Sequence, residues 1–227
     1  MYIVTGASGG IGRMLAKELS KTDLFIGTYF THKIESDSDR LKYYPLDLTD
    51  EKSVERFILD IKPYLSKIIL INLAGISIDG LTINYDIKDW DRTMAVNLRA
   101  IFLMSKAVLP YMFEEKWGRI INISSCVAFL GVPGTIAYAA SKSALFGFTR
   151  TLAKECARHG VTVNNLQLGY FNVGLTKSIP GDVRNKIEGS IPLKRFGDVK
   201  DIIQAIYYIR DSDYLTGTEI QINGGLP

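Results

Sequence analysis

The chain has 227 residues, of which 47% are hydrophobic and 22% are charged, and its formal net charge at pH 7 is +3. This length and composition predict one large α/β domain over residues 1–227. The basic residues form no long run, so we expect neither a nucleic-acid surface nor a membrane-binding helix. The chain start runs directly into a glycine-rich motif and no apolar run approaches ~20 residues, which predicts a cytoplasmic protein without signal peptide or membrane span.

Short β-branched runs alternate along the chain with stretches of helical period. This alternation predicts repeated βαβ units, in which a doubly wound parallel sheet is covered by helices on both faces. Seven strands are predicted, at residues 2–5, 24–28, 43–45, 68–72, 119–124, 162–168 and 219–222.

The helices are predicted from apolar periodicity. Ile11, Leu15 and Leu19 recur at helical spacing and so share one face of the first helix. Long helices are predicted over residues 90–112 and 138–158.

The segment 169–195 is less regular and holds Gly, Pro and scattered apolar residues. We expect it to form a flexible flap over a site. Asp198 is expected to cap a short helix before the last strand.

The first loop has the sequence Thr-Gly-Ala-Ser-Gly-Gly-Ile-Gly over residues 5–12 and lies between a predicted strand and a predicted helix. Glycines allow the backbone to approach phosphate groups, and a helix N-terminus stabilises their charge. The phosphate loop of kinases and ATPases would need Lys followed by Ser or Thr after its last glycine, but Arg13 follows Gly12. The turn therefore predicts a dinucleotide site.

A second motif places Tyr138 four residues before Lys142, which makes the two side chains neighbours on a helix. To exchange protons at neutral pH, a phenol needs its pKa lowered by roughly three units, about 4 kcal/mol. One ammonium at ~4 Å in an effective dielectric of about 20 supplies a stabilisation of that order. Ser124 and Ser125 follow an apolar run and end a predicted strand, where ligands bind in open α/β sheets. The alternatives are a surface Tyr/Lys pair and two turn-forming serines.

The spacing of Gly6, Gly10 and Gly12, combined with Ser125 and the Tyr138/Lys142 pair, resembles the classical short-chain dehydrogenase/reductase family. The resemblance covers essentially the whole chain and implies a Rossmann-type fold. Further motifs of the family match residues 47–49, 72–75, 192–197 and 215–225, and Asn97. The cofactor-binding residues that the resemblance implies are Gly6, Ser8, Gly10, Ile11, Gly12, Thr31, Asp47, Leu48, Asn72, Ala74, Gly75, Tyr138, Lys142 and Gly169.

The resemblance also implies four catalytic residues. Ser125 would hold a carbonyl oxygen while Tyr138 protonates it and the nicotinamide delivers hydride to the carbon. Lys142 would lower the pKa of the tyrosine and bind the nicotinamide ribose. Asn97 would hold a water that links the lysine to solvent. No metal is expected, because Cys126 and Cys156 have neither metal-like spacing nor clustered histidines.

Three positions depart from the pattern of the family. Leu73 replaces an asparagine, Leu168 a proline, and Val173 a threonine that often meets the nicotinamide carboxamide. We expect Thr176 to be able to substitute for that threonine. Cys126, beside Ser125, is expected to be a small buried filler, with a reactive thiol as the alternative.

The cofactor preference is read at the end of the second strand, where an acidic side chain would accept from a ribose 2′-hydroxyl. Residues 28–33 contain no acid, and His32 and Lys33 are placed to meet a 2′-phosphate, although Gly9 stands where an arginine would strengthen that reading. NADP(H) is therefore favoured, and NAD(H) stays open.

Within the family the chain is most similar to 3-oxoacyl-[acyl-carrier-protein] reductases of fatty-acid synthesis, which implies an acyl-thioester substrate. Phe129, Leu130, Tyr170 and Phe171 are expected to flank an apolar pocket. An acyl carrier protein would dock on basic residues, here Lys116, Arg158 and His159. The alternatives are an oxidoreductase for an alcohol, sugar or other small carbonyl compound, and a nucleotide-binding regulator without catalysis. The resemblance also implies a homotetramer built on the two long helices and the C-terminal segment.

Overall fold

The computed structural model describes residues 1–36 and 38–226, with the side chains of residues 177 and 178 excepted. All seven predicted strands are confirmed within these residues, and their bounds differ from the predicted ones by at most two residues. The strands are β1 (Tyr2–Val4), β2 (Phe25–Tyr29), β3 (Leu41–Pro45), β4 (Ile69–Asn72), β5 (Gly118–Ser125), β6 (Val161–Leu168) and β7 (Glu219–Ile222).

Eight α-helices connect or follow these strands in the described residues, together with short 3-10 turns. Asp50, Asp86 and Asp198 cap three of the helices by accepting from the backbone N–H two residues further on. The helices are α1 (Gly10–Leu19), α2 (Glu51–Ile61), α3 (Ile87–Met94), α4 (Ala100–Glu114), α5 (Val127–Leu130), α6 (Ile136–Cys156), α7 (Gly181–Ser190) and α8 (Val199–Asp211).

The strands form one parallel sheet in the order β3-β2-β1-β4-β5-β6-β7. Side chains alternate between its faces: Tyr2 and Val4 pack with α1 and α8, whereas Ile3 packs with α2, α4 and α6. Both faces are therefore covered, as the sequence predicts. The order reverses between β1 and β4, and a parallel doubly wound sheet opens a crevice at that point, beyond the carboxyl ends of the strands.

The predicted helix over residues 90–112 is part of a longer helical stretch, Ile87–Glu114, whose middle, Ala95–Arg99, is wound as a π-helix. This stretch is long and apolar enough to cross a membrane by length and composition. Leu103, Met104 and Val108, on its inward side, are buried in the core beneath the sheet. The helix predicted over residues 138–158 corresponds to α6.

The irregular structure predicted for residues 169–195 is wrong in part, because the segment contains a 3-10 turn, Gly174–Ser178, and the helix α7. No residue of α7 is buried. Without a buried face a helix has no apolar repeat, and so the sequence gives no periodic signal for it.

Candidate active site

A cleft of about 1130 Å³ lies at the carboxyl edge of the sheet, on the crevice between β1 and β4. It brings together most of the predicted residues. Asn72 and Asn97 do not line it; both are buried behind its wall. The predicted residues that line the cleft are Gly6, Ser8, Gly10, Ile11, Gly12, Thr31, Asp47, Leu48, Ala74, Gly75, Ser125, Tyr138, Lys142 and Gly169.

The glycine-rich turn forms a cradle without room for side chains. Gly6 has φ +68°, and a Cβ at Gly12 would lie 2.6 Å from the Cα of Ala7. The N-cap of α1 is Gly9, which makes no side-chain capping bond, so no side chain competes for the first backbone N–H groups of the helix. A cradle of this kind at a helix N-terminus fits the pyrophosphate of a dinucleotide.

The wall after β3 holds Asp47 in a fixed orientation. Its Oδ1 accepts from the Thr49 backbone N at 2.9 Å and from the Thr49 hydroxyl at 2.7 Å. Arg99 donates to the Thr49 carbonyl at 2.6 Å, which ties this loop to the π-helical turn. The carboxylate is therefore positioned on the cleft wall before any ligand binds.

The loop after β2 is exposed. The Thr31 hydroxyl lies 2.8 Å from Nδ1 of His32, and Lys33 Nζ lies 3.9 Å from Glu35. Both members of that ion pair are solvent-exposed, so the pair is weak, and neither His32 nor Lys33 is among the residues that line the cleft.

Ser125, Tyr138 and Lys142 meet on the opposite side of the cleft. Ser125 is the last residue of β5 and Tyr138 lies in the first turn of α6, four residues before Lys142. Lys142 is buried, and its Nζ donates to the Ile123 carbonyl at 2.8 Å and lies 5.8 Å from the centre of the Tyr138 ring. The helix thus makes the two side chains neighbours, as the spacing predicts.

Burial is the main influence on the pKa values of the pair. Burial raises the pKa of Tyr138 to about 12, and a hydrogen bond with Ser125 opposes this shift only in part. Burial lowers the pKa of Lys142 to about 8. Loss of water dominates both shifts, and the expected lowering of the Tyr138 pKa by Lys142 stays a prediction.

Asn97 is the central residue of the π-helical turn. Its Oδ1 accepts from the Ile76 backbone N at 2.9 Å, and its Nδ2 donates to the Ile76 carbonyl at 2.9 Å and to the Ser141 hydroxyl at 3.0 Å. Both amide hydrogens are therefore used in bonds that fix the side chain, and the expected water at Asn97 stays a prediction. Ser141 donates in turn to the Tyr138 carbonyl at 2.7 Å.

The motif analysis missed Ser141, although it is the serine inside Tyr-Ala-Ala-Ser-Lys. It connects the segment after β4 to the first turn of α6. Gly75 lies beside the same group, because a Cβ there would be 3.4 Å from both Asn97 Oδ1 and Lys142 Nζ. A small residue at position 75 keeps space open next to the ammonium.

Thr176 lines the cleft, and its expected substitution for the threonine stays a prediction. Its hydroxyl bonds to the Phe171 carbonyl and to the Val173 carbonyl at 3.1 Å, and so it closes the turn at the base of the flap. Val173 packs against the glycine-rich turn, since a Cβ at Gly10 would lie 2.6 Å from its Cγ2. The segment 169–195 therefore reaches the cradle through the apolar side chain of Val173.

The apolar side of the cleft differs from its predicted composition. Tyr170 and Phe171 line it, but Phe129 and Leu130 do not. Phe129 stacks edge-on against Phe146 at 4.8 Å between ring centres. Residues that the sequence analysis did not single out complete this wall: Val127, Val132, Thr135, Ile179, Val183 and Ile187.

Cys126 is a buried filler, as expected. It is 1% exposed, and burial raises the pKa of its thiol to about 11. A thiol with a raised pKa is a poorer nucleophile, which favours the filler over the reactive thiol.

The predicted carrier-docking residues do not lie at this cleft. Lys116 precedes β5, whereas Ser125 ends it, and eight residues of strand separate them by roughly 26 Å at about 3.3 Å per residue. His159 lies at the same far edge and stacks on Phe113 at 3.9 Å between ring centres. Carrier docking on these residues stays a prediction.

The sequence profile of the short chain dehydrogenase family matches residues 1–183. The chain belongs to this family, and it is accordingly an oxidoreductase that uses a nicotinamide cofactor.

Curated relatives match over nearly the whole chain. A 3-oxoacyl-[acyl-carrier-protein] reductase of Haemophilus influenzae is 38% identical and covers 99% of this chain and 96% of its own length. A 3-oxoacyl-[acyl-carrier-protein] reductase of Thermotoga maritima is 33% identical, with the same two coverages. Nodulation protein G of a Rhizobium species is 35% identical over 99% of this chain and 95% of its own length.

Proposed function

We propose that the protein reduces the 3-oxo group of an acyl thioester, at the expense of NADPH. The observation that carries the proposal is the cleft, in which Ser125, Tyr138 and Lys142 stand across from a phosphate cradle and next to an apolar wall. The relatives named as 3-oxoacyl-[acyl-carrier-protein] reductases support the substrate class.

The proposed roles follow from the hydroxyl groups of the site. Ser125 and Tyr138 donate to the carbonyl oxygen, and a proton passes from the Tyr138 hydroxyl to that oxygen as the carbonyl carbon is reduced. The nicotinamide supplies the hydride when bound. Lys142, whose Nζ is 5.8 Å from the tyrosine ring centre, stabilises the phenolate that is left. The balance is one hydride and one proton added across the C=O bond.

The preference for NADPH over NADH is proposed from the loop after β2. Residues 28–33 carry no carboxylate to repel a 2′-phosphate, and His32 and Lys33 are exposed there. The measurement is the ratio of kcat/KM for NADPH to that for NADH. A ratio below one would contradict this preference.

The acyl chain is proposed to lie against the apolar wall that Val132, Tyr170, Val183 and Ile187 share. We further propose a cytoplasmic homotetramer in which two copies of α6 pack antiparallel. Such packing brings the C-terminal end of one α6, with Arg158 and His159, towards the cleft of the partner. An acidic acyl carrier would then dock on one subunit and react in another.

The test is a turnover screen of the purified protein with NADPH and NADH. An acetoacetyl thioester is compared with ketones, aldehydes and keto-sugars of similar size. The proposal expects the thioester to give the highest kcat/KM. Faster turnover of a keto-sugar or simple ketone, with little on the thioester, would favour a small-carbonyl oxidoreductase instead.

A further inference from the structure

The helix α7 lies over the cleft with little to hold it there. No residue of α7 is buried, and Val183, which lines the cleft, is itself exposed. Ile187, one turn later, lines the cleft and packs against the small cluster of Cys126, Ile191 and Leu226. Apolar burial of this extent does not fix a helix by itself, since packing supplies most helical stability in proteins.

Arg184 lies between these two cleft-facing residues and contacts the body of the protein. Its guanidinium carbon is 4.1 Å from the centre of the Phe196 ring, and its Nη2 donates to Asn172 Oδ1 at 2.5 Å. A guanidinium can stack on an aromatic face and donate at its edge at the same time, which a lysine ammonium cannot do in the same geometry.

The two segments that receive Arg184 are joined to each other. Gly197 N donates to the Tyr170 carbonyl at 2.9 Å, and Phe171 and Gly197 form a parallel bridge. A Cβ at Gly197 would lie 2.5 Å from the Phe171 ring, so the approach is as close as the backbone permits. Arg184 therefore binds two segments, residues 170–172 and 196–197, that are already hydrogen-bonded to each other. These two segments are called the double segment.

This double segment also reaches the reacting groups. The Tyr170 ring packs edge-on against Phe196 at 6.2 Å between ring centres, and Tyr170 lines the cleft. Tyr170 and Tyr138 both line the cleft. Arg184 on α7 is thus connected, through Phe196 and Tyr170, to the wall of the cleft.

We propose that Arg184 is a positioning residue that holds α7 over the cleft and thereby sets the affinity for the carbonyl substrate. It contacts no reacting group and takes no part in proton transfer. This inference rests on the proposed function, in which the space between α7 and Tyr138 receives the substrate.

The main test is Arg184→Ala, assayed with NADPH and an acetoacetyl thioester. A stacked cation and one charge-assisted hydrogen bond are lost, so we expect the KM for the thioester to rise roughly ten-fold while kcat changes less than about two-fold. Arg184→Lys keeps the charge and should recover part of the loss. Phe196→Leu keeps the bond from Arg184 to Asn172 but removes the stacking and the edge contact with Tyr170, so it should raise KM as well.

The matched control is Lys186→Ala, which removes one positive charge from an exposed position of the same helix. Its KM should equal that of the unaltered protein. An equal rise in KM for both variants would overturn the proposal, because the effect would then come from net charge on the flap. A fall in kcat with unchanged KM in Arg184→Ala would overturn it as well.

A second readout does not require turnover. Hydrogen exchange of the backbone amides of residues 181–190 should be faster in Arg184→Ala than in Lys186→Ala, with unchanged exchange in the sheet. If the unaltered protein fails to turn over the thioester while this difference in exchange is present, the proposed substrate is wrong. The proposal that Arg184 holds α7 in place is then still supported. Equal exchange in the two variants would refute the proposal that Arg184 holds α7 in place, whatever the substrate.

Discussion

Tyr138 and Lys142 have pKa shifts in opposite directions from the same physical cause. Burial disfavours the charged form of each, which raises the pKa of the phenol to about 12 and lowers that of the ammonium to about 8. The phenol is therefore protonated at neutral pH, as an acid for carbonyl reduction must be.

Tyr138→Phe removes that acid while keeping the ring. General acid catalysis contributes about 10²- to 10⁴-fold, so kcat should fall by a factor in that range. Binding of NADPH, measured by fluorescence titration, should change little. Tyr214→Phe, at a fully exposed position, is the matched control and should leave kcat unchanged. Turnover of Tyr138→Phe at the rate of that control would disprove the proposed mechanism.

Lys142 makes folding stability depend on pH. Its folded pKa of about 8 lies below the ordinary value of 10.5, so between these pH values the unfolded chain holds a proton that the folded chain lacks. Stability must then rise with pH across this window. Relative to Lys142→Met, the unaltered protein should gain on the order of 1–2 kcal/mol of unfolding free energy between pH 8 and 9.5. Urea unfolding at several pH values checks this, and a constant difference between the two proteins would contradict it.

At the scale of elements, a chain of buried side-chain hydrogen bonds fastens α6 to the sheet. Asn72 Nδ2 donates to Asn122 Oδ1 at 2.8 Å, and Asn122 Nδ2 donates to the Thr149 hydroxyl at 2.9 Å. Thr149 donates onward to Asn165 Oδ1 at 2.6 Å. Thr149 lies two turns after Lys142 on the same face of α6, so the chain crosses from β4 to β6 beneath the helix that carries the reacting groups.

Thr149→Val preserves the shape of the side chain and removes the hydroxyl. Two buried amides then lose a partner, which should lower the unfolding free energy by about 1–3 kcal/mol. Thr149→Ser should recover most of this, and Thr151→Val, at an exposed position of α6, is the control. Urea unfolding measures all three. Equal stability of Thr149→Val and the control would mean that the chain of bonds contributes nothing net.

The elements themselves were largely predictable. Apolar runs such as residues 119–124 gave the strands, because a sheet buried on both faces needs continuous apolar segments. The helix α7 was missed because it buries no side chain. In the site, spacing alone placed Ser125 and Lys142 at the cleft, but the partners of Asn97 and Thr176 depend on backbone carbonyls that no motif encodes.

At the scale of the whole molecule, the functional cleft and a group of stabilising contacts lie at opposite edges of the sheet. The cleft lies at the carboxyl edge, and the hydrogen bonds and ion pair of Arg119 lie at the opposite edge. That side chain is buried, donates to the Arg210 carbonyl at 2.9 Å, and forms an ion pair with Asp213. It thereby connects the start of β5 to the end of α8.

Asp213→Asn leaves the buried guanidinium without its counter-charge. We expect the unfolding free energy to fall by no more than about 1 kcal/mol, because the Asp213 side chain is 88% exposed and the asparagine Oδ1 still accepts from the guanidinium. The kcat and KM should not change, because Asp213 lies at the edge opposite the cleft. Asp91→Asn, at an exposed position of α3, is the control for the loss of one negative charge. A drop in kcat would show that the two edges are coupled.

The length of β5 sets how far stability and turnover can be altered independently. Its eight residues keep Arg119 roughly 20 Å from Ser125 at about 3.3 Å per residue. Effects of substitutions more than about 7–10 Å apart usually add. Stabilising changes around Arg119 can therefore be combined with changes of substrate range around Val132 and Ile187, and each set can be optimised in a separate library.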